Sequence, residues 1–236
     1  MTEVEQGYDI LKLLGALQLG DSFFPSGRYT LSHGLESFAQ AKVIDGLPAL
    51  EEMLHDYVVH AVGPSEAVAV ASANRSATTG DLTTIIAVDQ LLFAMKLPAE
   101  ASAASVRSGR QVLASAGRLG EDSVLAAYQC LVSELVAPGN HAVVFGLLSA
   151  AWGLSPVEAA AIEIHAYATG LMGAALRLVR IDHDDAQGVL RRLQPVAAEA
   201  AWVAAQTDYR EMSAFAPVIE IMQMRHENSR LRLFAS

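Results

Sequence analysis

Residues 155–180 read SPVEAAAIEIHAYATGLMGAALRLVR, and this stretch indicates the fold class. It opens with a capping box, in which Ser155 is followed three residues later by Glu158, and proline occupies the first helical position. Apolar side chains then recur at helical spacing, at Val157, Ala161, Ile164, Ala168, Leu171, Ala175 and Leu178. Gly170 and Gly173 lie in mid-helix, where each glycine costs about 1 kcal/mol relative to alanine. Such glycines are usually compensated by the close approach of another helix, so the stretch predicts a long, packed helix.

The same periodicity extends over the rest of the chain. One apolar stripe comprises Leu47, Leu50, Leu54, Tyr57, Val58 and Ala61. We expect Gly63-Pro64 to end this helix, and Gly80-Asp81 to open the next one, which runs up to Pro98. No sustained period-2 alternation indicates a strand, and the sequence contains no repeat or long linker. The pattern predicts one all-α domain, residues 1–236, of about ten helices.

The composition of the chain favours helices that are partly covered by another subunit. Hydrophobic residues make up 52% of the 236 residues, but aromatic residues only 6%, so the apolar content is mostly Ala, Leu and Val. Alanine loses no side-chain entropy in a helix. Charged residues are 18%, below the usual quarter, which leaves the protein short of polar surface. A second copy of the chain would cover such faces.

The charge excludes nucleic acid as a main partner, because the net charge is −10 and phosphate binding needs clustered Lys and Arg. The single cysteine, Cys130, lies in an apolar run and is expected to be buried, which fits a reducing compartment. The N-terminus is acidic and does not resemble a secretory signal. We see no stretch with the roughly 20 apolar residues that a membrane-spanning helix needs. We therefore expect a cytoplasmic protein without membrane contact.

The C-terminal stretch, residues 215–236, reads FAPVIEIMQMRHENSRLRLFAS and combines apolar with basic groups in an acidic protein. Chain ends are usually polar and frayed. Arginine and aromatic residues are the types that contribute most energy to interfaces. The stretch therefore predicts that residues 225–236 form a docking tail, which binds either the protein's own body or a partner.

Catalytic and metal-binding motifs are weak. The sequence contains no His-Glu-x-x-His, no Cys-x-x-Cys, no phosphate loop and no Gly-x-Ser-x-Gly elbow. His33 and Glu36 would share a face of a helix, which is a weak metal motif. The acidic run 182–185 is better interpreted as a helix cap than as a cation site. One alternative function remains from this set, a metal-dependent helical hydrolase that uses His33, Glu36, His141 and Asp184.

Residues 17–36 read LQLGDSFFPSGRYTLSHGLE, in which an apolar helix ends at Gly20 and a turn leads to a second helix. This block resembles the N-terminal signature of the urease accessory protein UreF family, Leu-x-Leu-x-Ser-Pro-x-Leu-Pro-x-Gly-Gly-Phe-x-x-Ser-x-Gly-Leu-Glu. Residues 140–146, NHAVVFG, are similar to the family's His-x-x-Val-x-Phe-Gly segment. The ending, MRHE at 224–227 with RLFAS at 232–236, is similar to the family's C-terminus. The three blocks occur in the family's order over nearly the whole chain.

The sequence departs from the family pattern at several positions. Arg28 stands where the family has a second glycine, and Tyr29 stands where it has phenylalanine. Arg28 adds a charge and removes a residue that tolerates a positive φ angle. Asp21-Ser22-Phe23 replaces the usual Ser-Pro, and residues 228–231 lack the usual Tyr-Ser pair. These departures concern the geometry of the N-terminal loop and the choice of partner rather than the fold.

The resemblance implies an all-α homodimer that is not an enzyme. It implies partners in a UreD/UreH-type scaffold protein, the GTPase UreG and apo-urease, into which nickel is delivered, with no tightly bound cofactor in this chain. Two segments are expected to bind partners: Pro25, Gly27, Arg28, Tyr29, Ser32, His33 and Glu36 in the N-terminal block, and Arg225, His226, Glu227, Arg232, Leu233 and Phe234 in the tail. We expect the two segments to lie near one another, and His33 or His226 to contact nickel at most transiently.

Overall fold

The computed structural model describes residues 3–229 and 232–235, which form eleven α-helices and no strand. The α-helices are α1 (Glu3–Gly20), α2 (Leu35–Gln40), α3 (Leu47–Tyr57), α4 (Val68–Thr79), α5 (Leu82–Met95), α6 (Ala99–Leu119), α7 (Ser123–Ser133), α8 (His141–Ala151), α9 (Pro156–Leu178), α10 (His183–Gln206) and α11 (Pro217–Glu227). Because α3 continues through a π-helical segment, Val58–Ala67, into α4, these helices make ten continuous rods. The prediction of an all-α protein of about ten helices is confirmed.

Helix α8 forms the centre of the core, because its residues from His141 to Ser149 are all buried. It packs on α4 and α6 through positions without side chains, which lets the backbones approach closely. A Cβ added at Gly146 would lie 2.5 Å from the carbonyl oxygen of Val70 in α4. A Cβ added at Gly109 in α6 would lie 2.0 Å from the carbonyl oxygen of Gly139, just before α8. The core therefore depends on backbone approach between helices as well as on large side chains.

The N-terminus of α8 is fixed by a buried carboxylate. Asp89, on α5, accepts hydrogen bonds from the backbone N–H groups of Gly139 (2.7 Å) and Asn140 (2.9 Å) and from the hydroxyl of Tyr128 (2.6 Å). A negative charge at a helix N-terminus is stabilised by the unsatisfied N–H groups there. This network holds His141, the first residue of α8, in a defined position.

Helix α9 has the predicted extent, and its capping box at Ser155 and Glu158 is present. The acidic run before α10 caps that helix, as predicted, and Asp182 and Asp185 form a capping box there. The compensation expected at Gly170 and Gly173 is absent, because a Cβ added at either position would meet no atom within 4 Å. The face of α9 that carries these glycines is open in the described part of the chain.

Helix α9 is also long and apolar enough to cross a membrane, so the expectation that no stretch reaches this length was wrong. Of its most apolar 18-residue window, 56% is buried inside the protein. Helices α1, α2, α4, α8 and α10 all contact it. A core helix of a globular protein passes the same test of length and composition, so this single helix is weak evidence for membrane insertion.

Gly63-Pro64 does not end the helix that begins at Leu47, so this prediction was wrong. The chain passes through both residues in π-helical geometry and continues into α4. In an α-helix the N–H of residue 64 would donate to the carbonyl of His60, and in π-helical geometry to that of Val59, but proline has no N–H. The carbonyl of His60 accepts the backbone N–H of Phe215 at 2.9 Å, and the carbonyl of Pro64 accepts that of Ser213 at 3.1 Å. The segment before α11 is thereby attached to the middle of the core.

Cys130 is exposed on α7, contrary to the prediction that it is buried. The apolar run that suggested burial is real, but its buried residues are Leu125, Tyr128 and Val132. Cys130 lies on the other side of that helix, so the hydrophobic neighbours in sequence did not indicate its own environment.

Candidate functional site

The N-terminal corner, which we define as residues 21–36, connects α1 to α2 through backbone conformations that favour glycine. Gly27 has φ +72° and Gly34 has φ +87°, both in the left-handed region. Arg28 lies in a short 3-10 helix, Arg28–Thr30, with ordinary φ, so the positive φ of this loop falls on Gly27 and the departure at Arg28 does not disturb it. His33 itself has φ +52°, and α2 begins only at Leu35. The prediction that His33 and Glu36 share one helical face was therefore wrong.

Arg28 forms the main electrostatic contact of the corner with the core. Its Nη1 atom donates to both carboxylate oxygens of Glu163 on α9, each at 2.8 Å, and lies 3.4 Å from Nδ1 of His141. The side chain of Glu163 is only 2% exposed. Burial opposes the ionisation of Glu163, but the charge of Arg28 outweighs it and, with His141, lowers the pKa of this carboxyl to about 2.

A cavity of about 120 Å³ lies beside this ion pair. His33, Tyr57, His141 and Tyr167 line it, and the His33 ring lies 4.2 Å from the Tyr167 ring, measured between centroids. Burial and the positive charge of Arg28 lower the pKa of His33 to about 3. Burial likewise lowers the pKa of His141. Both imidazoles are thus neutral at pH 7.

Glu36 is the point at which the corner and the C-terminal tail meet. Its carboxylate is buried and accepts the backbone N–H groups of Leu233 (2.8 Å) and Phe234 (3.1 Å). Nε2 of His226 lies 3.1 Å from the same carboxylate. The backbone N–H of Ala235 donates to the carbonyl of Thr30 at 2.9 Å. The expectation that the two predicted segments lie near one another is met by direct hydrogen bonds.

His226 lies between two carboxylates. Its Nδ1 is 2.7 Å from Oε2 of Glu100, the second residue of α6, while its Nε2 faces Glu36. Both ring nitrogens thus lie within hydrogen-bond distance of a carboxylate, and the ring links Glu100 on α6 to Glu36 on α2. Arg232 is paired with the other oxygen of Glu100 and donates to the carbonyl of Glu227 at 2.7 Å. His226 and Arg232 therefore hold the described part of the tail on two carboxylates of the body, Glu36 and Glu100.

The phenyl ring of Phe234 is buried in the protein, with 5% exposed, and Arg177 of α9 lies over it at 5.6 Å from the ring centroid. Cation–π contacts of this kind stabilise by about 0.5–2 kcal/mol, more when the groups are desolvated. Leu233, the preceding residue, is 75% exposed. The tail thus directs one apolar side chain inwards and its neighbour outwards.

Comparison with known proteins assigns the chain to a family. A family model described as UreF matches residues 47–194. This chain belongs to the UreF family. A Trichodesmium erythraeum (strain IMS101) protein named urease accessory protein UreF is 34% identical over 233 residues, which cover 97% of this chain and 98% of the relative. The resemblance found in the sequence is confirmed.

Two further UreF relatives match with similar coverage. Urease accessory protein UreF 2 of Brucella canis is 29% identical over 235 residues, covering 99% of this chain and 96% of the relative. Urease accessory protein UreF of Bacillus sp. (strain TB-90) is 28% identical over 225 residues, covering 95% and 99%. The similarity to UreF proteins therefore extends over both the corner and the tail.

Within this UreF fold, the residues predicted to bind partners divide by burial. Those exposed are Pro25, Tyr29, Arg225, Arg232 and Leu233; those buried are Ser32, Glu36, His226 and Phe234; and Gly27, Arg28, His33 and Glu227 lie between. The exposed group is available to a partner in this conformation, and three of the buried residues, Glu36, His226 and Phe234, join the two segments. Of the predicted tail, residues 230, 231 and 236 lie outside the described residues.

Three residues that hold this arrangement were not among the predicted site residues: Glu100, Glu163 and Arg177. Each lies on a long helix, and its role depends on a partner more than 50 positions away in sequence. Glu163 does carry one signal, since it interrupts an apolar stretch of α9 and a buried charge is expected to be paired.

The candidate metal ligands do not converge. Among the described residues, no group of three or more His, Cys, Asp and Glu side chains is placed to hold a metal ion. His33 and His141 line the cavity beside Arg28, whereas Glu36 faces the tail and Asp184 is exposed in the first turn of α10. The four residues of the hydrolase alternative are thus distributed over three places in the described structure.

Proposed function

We propose that this protein is a urease accessory protein that bridges a UreD/UreH-type scaffold protein and the GTPase UreG during nickel insertion into apo-urease. In this proposal it acts as a homodimer in the cytoplasm and catalyses no reaction itself. Nickel is the cargo of the complex, handled transiently and without a tight site in this chain. Membership of the UreF family over nearly the full length supports this function, and the names of the relatives state an accessory role for urease.

The observation that carries the proposal is the surface formed where the tail meets the corner. We define the corner–tail surface as Tyr29, Arg225, Arg232 and Leu233, four of the exposed residues of the two hydrogen-bonded segments. Tyr29 is 67% exposed and therefore accessible to a partner. Tyrosine and arginine are among the residues that most often dominate binding energy at interfaces. The contacts of Glu36 and His226 hold this surface in place beforehand. A partner would therefore bind it with little cost for ordering the tail.

The electrostatics of this surface suit an acidic or neutral partner site. Arg225 and Arg232 are two exposed cations on a protein whose net charge is −10. Among the described residues, Arg232 is paired with Glu100 and donates to the backbone carbonyls of Ser229 and Glu227. Charged rims of this kind set the rate and specificity of association more than its strength. We assign the apolar contribution to Leu233 and Tyr29.

Co-purification with the scaffold protein and the GTPase tests the proposal. Deletion of residues 226–236 is a poor variant, because it also removes His226 and Phe234 from the protein's own interior. Leu233→Asp changes only an exposed side chain. Leu135→Asp is the matched control, since Leu135 is 80% exposed on the turn after α7.

We expect the Leu233→Asp protein to retain at least tenfold less scaffold protein than the control, because removal of a central apolar contact costs about 2 kcal/mol. Equal retention by the two variants would contradict the assignment of this surface. A metal titration of the isolated chain distinguishes the hydrolase alternative, which requires stoichiometric binding and activity without partners.

A further inference from the structure

The outer face of α6 carries three basic side chains in a row. The opposite face is packed into the core, and its buried residues are Ala104, Ser108, Gly109, Val112, Leu113 and Ala116. We define the α6 basic stripe as Arg107, Arg110 and Arg118, all of which are exposed. At 3.6 residues per turn their spacing brings them to one face, and the stripe extends over about 16 Å along the helix axis.

The described part of the chain offers this stripe no carboxylate. None of the ion pairs between described residues includes an arginine of the stripe. Glu100, the one acidic residue of α6, is engaged by His226 and Arg232 of the tail. Arg107 and Arg110 are three positions apart, a spacing at which like charges destabilise a helix. A carboxylate from another molecule would relieve this repulsion.

An apolar groove lies at one end of the stripe. It has a volume of about 510 Å³, and its lining includes Phe23, Pro25, Arg118 and Leu119. Phe23 is 93% exposed and Leu119 is 43% exposed. Asp21 also lines the groove, but its Oδ1 atom accepts the backbone N–H of Phe23 at 2.8 Å. The groove therefore places an accessible aromatic ring beside an arginine, and large side chains of these two kinds contribute strongly to binding at interfaces.

The groove and the stripe are held in one relative position by the packing of the N-terminal corner. A Cβ added at Gly27 would lie 2.8 Å from Oε1 of Gln111, which follows Arg110 on α6. Phe24, the neighbour of the exposed Phe23, belongs to the hydrophobic core. Because the corner is fixed at both points, a ligand that binds groove and stripe together pays little for ordering them.

We propose that the α6 basic stripe and this groove form a docking surface for an acidic amphipathic helix of a partner protein. Carboxylates repeated along one side of such a helix would face the three arginines, and an apolar side chain beside them would contact Phe23 in the groove. Helices commonly bind proteins by laying one patterned face into a groove. A local acidic segment suits this site better than a wholly acidic protein, because the net charge of −10 repels large anions.

Nucleic acid fits the stripe less well than an acidic helix. Polyphosphate chains are bound through many clustered Lys and Arg residues, and the stripe supplies three on an acidic body. The surface is also distinct from the corner–tail surface, so the inference goes beyond the bridging function proposed above. Its test needs no urease partner, and the two proposals can fail separately.

Fluorescence anisotropy with the full chain and a labelled synthetic peptide tests the proposal. The probe is a helical peptide of about 18 residues, with glutamates on one face at the spacing of the stripe and leucines beside them. A peptide of the same composition in scrambled order is the probe control. We expect the patterned peptide to bind at least tenfold more tightly than the scrambled one. Its binding should also weaken as salt is raised from about 0.02 M to about 0.3 M, because screening shortens the reach of the charges.

The test variant is Arg107→Glu/Arg110→Glu, which replaces attraction with repulsion at two exposed positions. Arg180→Glu/Arg191→Glu is the matched control, because it makes the same change of charge at two other exposed sites. We expect the test variant to bind the patterned peptide at least tenfold more weakly than the control, with unchanged circular dichroism. Arg107→Lys/Arg110→Lys keeps the charge and should bind within about threefold of the unmodified chain.

Phe23→Ser provides a check that does not depend on α6. Its side chain is 93% exposed, so its loss leaves the core intact, and we expect at least fivefold weaker binding of the patterned peptide. Equal binding of the two peptides, no binding of either, or equal effects of test and control variants would overturn the proposal. So would binding of single-stranded polyuridylate as tight as that of the patterned peptide. Self-association of the chain that is lost in the test variant would instead show that a second copy occupies the stripe.

Discussion

Replacement of Arg28 by methionine tests how the N-terminal corner is held on the core. Methionine keeps a long apolar stem but leaves the Glu163 carboxylate buried without its cation. Removal of one partner of a buried ion pair costs about 3–5 kcal/mol, because the other charge is left uncompensated. The Arg28 side chain is 14% exposed and the Glu163 side chain 2%, so some water reaches the pair from one side. We therefore expect a loss near 3 kcal/mol in the free energy of unfolding at pH 7.

The pKa of Glu163 provides a second route to this magnitude. Burial opposes ionisation, but Arg28 lowers the folded pKa to about 2, against 4.5 for the reference group. At 1.36 kcal/mol per pKa unit this difference corresponds to roughly 3 kcal/mol. Because the folded pKa is depressed, this stability is present above pH 4.5 and is lost as the pH falls toward 2. In Arg28→Met, burial without the Arg28 charge raises the pKa of Glu163. The difference in free energy of unfolding between the unmodified protein and the variant should therefore shrink as the pH is lowered from 7.

Urea denaturation followed by circular dichroism measures the effect. Arg28→Met, Glu163→Gln and the double variant form a cycle whose coupling should exceed about 2 kcal/mol. Arg192→Met is the control, because Arg192 forms an exposed pair with Glu51, and surface pairs contribute about 0–1 kcal/mol. If Arg28→Met costs no more than Arg192→Met, or if the cycle is additive, the ion pair does not hold the corner and the reasoning is wrong.

Three further predictions concern the tail, the core and the pH dependence. Phe234→Ala removes the buried side chain that anchors the tail. Hydrogen exchange at the amides that donate to Glu36 should therefore accelerate at least tenfold. Unchanged exchange would show that the Phe234 ring does not hold the tail on the body. Gly146→Ala should lower the free energy of unfolding by more than 2 kcal/mol in urea titrations, because its Cβ meets a backbone carbonyl, whereas Gly117→Ala, which meets nothing, should raise it slightly. The unfolded chain protonates His33 near pH 6.5 but the folded protein only near 3. Between pH 6.5 and pH 3 the free energy of unfolding should therefore decrease as the pH is lowered, by up to about 1.4 kcal/mol per pH unit. The decrease should be smaller in His33→Asn.

Local signals in the sequence predicted the helix boundaries well where the chemistry is local. The capping boxes at Ser155 and Asp182 depend on residues three positions apart, so they are visible in any short window. Gly63-Pro64 is also a local signal, but the helix end that it predicted was wrong. Proline normally stops a helix because a carbonyl loses its donor, but here the donor comes from Phe215, which no local window contains. Tertiary contacts therefore overrode the local preference.

The candidate site was predictable in its members but not in its orientation. The sequence indicated both the corner and the tail, and the structure joins them through Glu36. It did not indicate that Phe234 points inwards and Leu233 outwards, because this depends on Arg177 on a distant helix. The prediction that Cys130 is buried failed for a similar reason, because apolar neighbours in sequence do not determine which side of a helix is covered.

The hydrogen bond from Phe215 to the carbonyl of His60 has a consequence for the C-terminal arm, which we define as α11 and the segment that leads into it. In α-helical geometry the N–H of residue 64 would donate to this carbonyl, and Pro64 has none to offer. Alanine at position 64 would supply that donor once the segment took up α-helical geometry, and the donor would compete with Phe215 for one carbonyl. The helix would gain regularity, and the segment that leads into α11 would lose its attachment. The position of the C-terminal arm is thus decided by a competition between near and distant donors, which proline settles in favour of the distant one.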